Sequence, residues 1–113
     1  MSAVCDLTNK HCVPCEGGVD PIGREEAESL LTELPGWALS EDGKMIKRRF
    51  EFRGFFRTMS FINAMAWLVN QENHHPDFSA GYNYCDVGFT THAIDGLSEN
   101  DFICAAKVSA LLD

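Results

Sequence analysis

Three of the four histidines in this 113-residue chain are placed so that proton-transfer chemistry could be built from them. His74 and His75 are adjacent and stand directly before Pro76, where a long apolar helical pattern ends, and His92 follows further along the chain. Imidazole is the side chain whose ordinary titration range includes neutral pH, and crowded imidazoles cannot all hold a proton because like charges repel. A cluster of three is therefore expected to contain both a base and an acid, as proton transfer to and from one small substrate requires.

The segment between the histidine pair and His92 predicts a hairpin. Residues 78–82 and 84–91 are rich in aromatic and β-branched types, and a turn centred on Asn83 would join them. Antiparallel partners would then have residue numbers that sum to about 166. This register places His92 opposite His74, to within one residue.

Two other interpretations of the histidines stay open. A histidine at a helix C-terminus is stabilised by the unpaired carbonyl groups there, by about 0.3–1 kcal/mol, so His74 or His75 alone could be a capping residue. Three histidines can also hold a catalytic zinc ion with an open fourth position, as in a metallohydrolase. Adjacent residues point in different directions and rarely reach one ion, so we predict a site with no metal.

Composition restricts the partners of the chain. The formal net charge of −8 and the pI near 4.8 argue against nucleic acid and anionic membrane surfaces. No apolar run approaches the roughly 18 residues that span a bilayer, and the N-terminal residues do not resemble a secretory signal. The five cysteines are odd in number, which suits free thiols in a reducing compartment. We therefore expect a cytoplasmic protein with neither a nucleic-acid nor a membrane partner.

The elements that must position the histidines follow the order α-β-β-α-β-β-α. This order is typical of an α+β domain in which helices pack on one face of a four-stranded antiparallel sheet. The predicted domain covers residues 21–113, and the polar, aperiodic residues 1–20 are expected to be a flexible tail. Periodicity and turn signals place helices at 24–34, 54–73 and 99–112, and strands at 37–40, 45–52, 78–82 and 84–91.

Local patterns support each helix. The first has one apolar stripe, formed by Ala27, Leu30, Leu31 and Leu34. The second has a stripe broad enough to predict burial against both the sheet and a partner subunit, formed by Phe55, Met59, Ile62, Ala66 and Val69 and widened by Phe61, Met65 and Leu68. At the third helix, Ser98 and Asp101 predict a capping box, and Leu97 with Phe102 predicts a hydrophobic staple.

The N-terminal tail contains a C-x-x-C spacing, formed by Cys12 and Cys15, next to His11 and with Cys5 upstream. Two or three thiolates and one imidazole could hold zinc, but a second C-x-x-C pair is missing. We favour a solvated tail, with a metal or redox role as the alternative. Cys85 and Cys104 are predicted to be small core residues.

A longer set of residues resembles the pterin-4a-carbinolamine dehydratase family over about residues 22–112. The matching segments are His74-His75-Pro76, Asp77-Phe78, Tyr82-Asn83, Thr91-His92, Gly96-Leu97-Ser98 and Asp101, with Leu34-Pro35-Gly36-Trp37 and Arg49-Phe50-Glu51-Phe52. The resemblance implies a hydro-lyase that dehydrates 4a-hydroxytetrahydropterin (4a-hydroxytetrahydrobiopterin) to quinonoid dihydropterin without a metal or organic cofactor. It also implies a homodimer or homotetramer, and a link to the aromatic amino-acid hydroxylases whose pterin is recycled.

The resemblance assigns the catalytic role to His74, His75 and His92 and leaves their individual parts open. Asp101 matches the acidic residue of the family after the third histidine, although the capping box explains it equally well.

One position departs from the family pattern. Family members often carry a carboxylate four residues before the first histidine, and Asn70 stands there in this chain. A supporting role for Asn70 would have to use its amide. Glu72 is a nearby carboxylate, but it lies about 200° around the helix from Asn70.

A binding module is the competing class of function. Some vertebrate relatives in the family also act as coactivators that dimerise a homeodomain transcription factor, and bacterial relatives have been linked to expression of the hydroxylase. Such a partner would use the outer face of the second helix, where Phe and Met are abundant. A pure binding module has no need of three histidines, so their retention favours the dehydratase.

Overall fold

A four-stranded antiparallel sheet with helices on one face forms the body of the protein. The structure is a computed structural model that describes residues 7–13 and 19–112. Its helices are α1 (Arg24–Leu31), α2 (Phe55–Glu72) and α3 (Glu99–Ala110), and its strands are β1 (Ala38–Leu39), β2 (Ile46–Glu51), β3 (Asp77–Ala80) and β4 (Tyr84–Phe89). A short 3-10 helix, His92–Ile94, lies between β4 and α3. The predicted order of elements is confirmed.

The apolar face of the sheet comes from its two central strands, since the strand order is β1-β2-β4-β3. Ile46 pairs with Phe89 and Phe50 with Cys85, and all four side chains are buried. Phe61 of α2 packs on Phe50 with ring centroids 4.6 Å apart. Alternate residues face the other way and are polar, as period-2 patterning requires. This arrangement confirms the predicted α+β class.

The second hairpin differs from the prediction at its open end. The register runs from Asp77 opposite Gly88 to Ala80 opposite Cys85, so partner numbers sum to 165. Pairing stops there, and the chain leaves the sheet after Phe89. The prediction that His92 is a cross-strand neighbour of the histidine pair was therefore wrong.

Two predicted helices differ in detail from the structure. α1 ends at Leu31, three residues early, because a turn precedes Pro35. In α2, Phe55 and Ala66 of the predicted stripe are exposed. The face that meets the sheet is rotated towards Thr58, whose hydroxyl donates to the carbonyl oxygens of Gly54 and Tyr82. The buried residues of α2 are Thr58, Phe61, Ile62, Met65 and Val69.

Part of the predicted N-terminal tail has defined contacts with the body. Residues 7–13, called the strap below, lie along α3, with Leu7 buried in the core. Lys10 pairs with Glu99, and Lys107 donates to the carbonyl oxygen of Thr8. Residues 1–6 and 14–18, which include Cys15, lie outside the described residues. In the described part of the chain, no helix is long and apolar enough to cross a membrane.

Candidate active site

His74 is the buried member of the histidine cluster. Its Nε2 lies 2.6 Å from Oδ1 of Asp101, and its side chain is 13% exposed. The ring is nearly parallel to that of Phe89, with an interplanar angle of 11°. The chain reaches this position because α2 ends at Asn73, which adopts a left-handed conformation with φ of 53°. Packing and a charged hydrogen bond therefore hold this imidazole in one orientation.

Asp101 serves the helix and the histidine at the same time. Its carboxylate is fully buried, and Oδ2 accepts hydrogen bonds from the Ser98 amide at 2.9 Å and the Thr91 hydroxyl at 2.8 Å. The Ser98 bond belongs to the predicted capping box, which is confirmed. Oδ1 remains for His74. One carboxylate thus ties the start of α3 to the imidazole.

Thr91 is a site residue that sequence reasoning missed. It is buried, and its hydroxyl lies 2.7 Å from that of Ser98 as well as within hydrogen-bond distance of Asp101. In the sequence it stands directly before His92, in a pair that resembles the family. Nothing in its local pattern indicates a buried hydroxyl that orients a carboxylate.

His75 and His92 have a different environment, because both are exposed. His75 Nδ1 is 3.3 Å from the carbonyl oxygen of Pro76. His92 stands on the 3-10 helix with its side chain 73% exposed, and its Nε2 is 4.0 Å from the carboxylate of Asp77. Both imidazoles can therefore exchange protons with solvent or with a bound molecule.

The structure brings the three histidines together around one cavity of about 510 Å³, called the histidine cavity below. This volume lies in the range that small-molecule sites occupy. Other residues lining it include Thr90, Thr91 and, from the strap, Cys12 and Val13. A cavity of about 700 Å³ lies on the outer face of the sheet, and none of the described residues that line it is a histidine.

Asn70 and Glu72 lie on different sides of the histidine pair. Asn70 is exposed and lines a neighbouring cavity of about 360 Å³ that also touches His74 and His75. Glu72 lines the histidine cavity, but its carboxylate is turned towards the strap. The predicted angular separation of the two residues on the helix agrees with this arrangement.

The carboxylate of Glu72 is a docking point for the strap. It accepts hydrogen bonds from the Cys12 amide at 2.7 Å and from His11 Nδ1 at 2.9 Å, and Lys107 Nζ lies 3.8 Å away. Burial raises the pKa of Glu72, but these hydrogen bonds and the lysine charge outweigh it and hold the pKa below its usual value. Glu72 is therefore an anionic anchor for the wall of the cavity.

Asn100 is a second docking point that the sequence did not indicate. Its amide exchanges two hydrogen bonds with the backbone of Val13, at 3.1 and 2.7 Å. The partners are 87 residues apart in the chain, and the strap has no periodicity that would predict where it packs. Among residues 7–13 and 19–112, no group of three or more His, Cys, Asp or Glu side chains is placed to hold a metal ion.

The fold and the site together define a small α+β protein with three histidines around one cavity. A sequence model of the family described as pterin 4 alpha carbinolamine dehydratase matches residues 20–111. A Nitrosomonas eutropha protein is 57% identical over 99% of this chain and 98% of its own length. A Legionella pneumophila (strain Lens) protein is 53% identical over 95% of this chain and 96% of its own length. Both carry the provisional name pterin-4-alpha-carbinolamine dehydratase. The chain belongs to the pterin 4 alpha carbinolamine dehydratase family, which is a family of hydro-lyases.

Solved structures agree with this assignment. A transcriptional coactivator/pterin dehydratase from Brucella melitensis is similar with a TM-score of 0.79 and 29% identity, covering 83% of this chain and all of that one. A pterin dehydratase-like protein described as a RuBisCO assembly factor in the alpha-carboxysome has a TM-score of 0.60 and 27% identity. It covers 67% of this chain and 88% of its own length. The fold thus occurs in proteins that are described with different roles.

Proposed function

We propose that the protein dehydrates 4a-hydroxytetrahydropterin to quinonoid dihydropterin by histidine acid–base catalysis, and so recycles the cofactor of aromatic amino-acid hydroxylases. The observation that carries the proposal is the convergence of His74, His75 and His92 on one cavity of about 510 Å³. Family membership supports the substrate class.

The two environments of the histidines suggest a division of roles. Dehydration requires one proton to be delivered to the hydroxyl leaving C4a and one to be removed from N5. His75 and His92 are exposed to the cavity and can carry those two protons, each contributing typically 10²–10⁴-fold. His74, held by buried Asp101, is the positioning member that fixes the floor of the site. The neighbouring groups can supply both proton transfers without an organic cofactor.

The test is the rate of 4a-hydroxytetrahydropterin dehydration in a coupled hydroxylase assay, with and without EDTA. We expect acceleration that survives EDTA and is lost in a His75→Ala, His92→Ala double variant. His11→Ala is the matched control, because His11 is exposed but does not line the histidine cavity. Loss of activity in EDTA that zinc restores would show that the dehydration depends on a metal ion, and would contradict the metal-free mechanism. No acceleration by well-folded protein would reject the dehydratase.

A second proposal concerns the outer face of α2, which carries large exposed aromatic side chains. Phe56 is 88% and Trp67 is 67% exposed, and they lie eleven residues apart, three helical turns on one side. Exposed apolar patches of this kind commonly mark interaction surfaces. We propose that this face pairs copies of the chain into a homodimer or homotetramer.

Light scattering tests this proposal. The mass of the wild type in solution should be larger than the mass of one chain, and the Phe56→Ser, Trp67→Ser double variant should have the mass of one chain. A monomeric wild type would overturn this proposal and would instead favour a different protein as the partner of this face, as in a coactivator or regulator.

A further inference from the structure

Two cysteine thiols meet where the strap crosses α3, at the side of the histidine cavity. The Sγ atoms of Cys12 and Cys104 are 3.5 Å apart. Cys104 is 1% exposed, and its thiol also lies 3.7 Å from the carbonyl oxygen of His74. Cys12 is partly exposed and lines the cavity. One thiol of the pair is thus open to small solutes, while the other is buried behind it.

We propose that Cys12 and Cys104 are a redox modification site, at which a reversible disulfide fastens the strap to α3 beside the histidines. A disulfide bond is about 2.0 Å long, so the two sulfur atoms need to approach by about 1.5 Å. The backbone around Cys12 is held in place beside α3, because the amide of Cys12 is bound by Glu72 and the next residue, Val13, is bound by Asn100. The inference goes beyond the proposed dehydration and does not depend on it.

The chemistry needs a small disulfide such as oxidised glutathione as the oxidant. The Cys12 thiolate attacks one of its sulfur atoms, the S–S bond breaks, and one glutathione leaves as a thiolate that takes up a proton. Cys104 then loses its proton and attacks Cys12 Sγ, which releases the second glutathione. Two protein thiols are oxidised and one glutathione disulfide is reduced to two thiols.

The structure also indicates which thiol reacts first. In the reduced pair, the hydrogen bond to Cys12, together with burial, raises the pKa of the Cys104 thiol well above its usual range. A thiol attacks as its thiolate, so the first exchange takes place at the partly exposed Cys12 and not at the buried Cys104. A glutathione adduct on Cys12 is therefore the expected intermediate.

Cys15 and Cys85 provide the competing partner and the control. Cys15 shares a C-x-x-C spacing with Cys12 and lies outside the described residues. Cys85 is buried on β4, where burial, with the charge of Asp86, raises its pKa to about 11. Removing Cys15 tests the competing pair, and removing Cys85 should change nothing.

The experiment equilibrates the full chain across a graded series of reduced and oxidised glutathione. Remaining thiols are then alkylated under denaturing conditions and the peptides are mapped by mass spectrometry. We expect a linked pair of peptides containing Cys12 and Cys104 in wild type, Cys15→Ser and Cys85→Ser, and its loss in Cys12→Ser. The link closes a loop of about 90 residues, so oxidation should raise the unfolding temperature by on the order of 10 °C, reversibly with dithiothreitol.

Two outcomes would overturn the proposal. In one, Cys12 is linked to Cys15 or to glutathione while Cys104 remains fully alkylated at equilibrium. In the other, the wild-type thiols stay reduced across the whole series. Because the readout is a covalent link, a protein with no dehydratase activity would still give a decisive result.

Discussion

The histidine cluster has a buried side and an exposed side, built from the same residue type. On the buried side, His74 is hydrogen-bonded to Asp101 and packed against Phe89. On the exposed side, His75 and His92 face the cavity with few protein contacts. Spacing in the sequence can therefore identify a histidine cluster, but it does not show the role of each histidine. Hydrogen-bonded burial suits a positioning residue, and exposure suits a residue that exchanges protons.

The largest effect is expected on the exposed side. We predict that His75→Ala and His92→Ala each lower kcat for pterin dehydration by about 100-fold, since each removes a proton-transfer group. Their unfolding temperatures should stay close to that of wild type, because exposed side chains contribute little to stability. Steady-state kinetics and thermal melts check both statements. Near-normal rates in both variants would show that the exposed histidines do not transfer the protons.

Asp101→Ala is predicted to affect stability as well as activity. The change removes a helix cap and leaves the buried Thr91 hydroxyl and His74 with fewer partners, so the unfolding free energy should fall by about 3 kcal/mol. We expect kcat to fall at least about tenfold, because His74 loses its orientation. Urea denaturation and kinetics measure the two effects. A variant with full stability and reduced activity would show that Asp101 takes part in the chemistry and does not only position His74.

Glu72→Gln tests the wall of the histidine cavity, which the strap helps to form and Glu72 anchors. The folded pKa of Glu72 is lowered, so its stabilising contribution is present above its ordinary value of 4.5 and is lost as the pH falls through the folded value. At neutral pH the variant should lose about 1–2 kcal/mol of unfolding free energy, and the difference from wild type should vanish in acid. Urea titrations over that pH range measure it. A difference that persists unchanged in acid would contradict the charged anchor.

The smallest effect is expected for Thr91→Val, which removes one hydroxyl and keeps the shape. Asp101 retains the Ser98 amide, so the unfolding free energy should fall by about 1 kcal/mol and kcat by a few-fold. Thr32→Val, which removes an exposed hydroxyl bonded to the Ser29 carbonyl, is the matched control and should change kcat by less than twofold. Equal losses of kcat in the two variants would show that Thr91 does not position the carboxylate.

Much of the fold was predictable from short-range patterns. The order of elements, the turn at Asp42 and Gly43 before β2 and the capping box of α3 depend on contacts between residues a few positions apart. Such contacts leave a signature in the sequence, because periodicity and turn chemistry are local. Phe55 and Ala66 are exposed in the single chain, because the sheet beneath α2 sets the rotation of the helix and the apolar stripe does not.

The family and the order of elements follow from the sequence alone. The sequence also predicts that His74, His75 and His92 belong to one cluster. Tertiary structure decided which histidine is buried, that Thr91 supports Asp101, and that the strap forms part of the cavity wall. The physical reason is the range of the contacts. Cys12 contacts Glu72 of α2 across 60 residues and Cys104 of α3 across 92, so both contacts depend on how the strap and the two helices pack together. No local pattern records a partner at that distance.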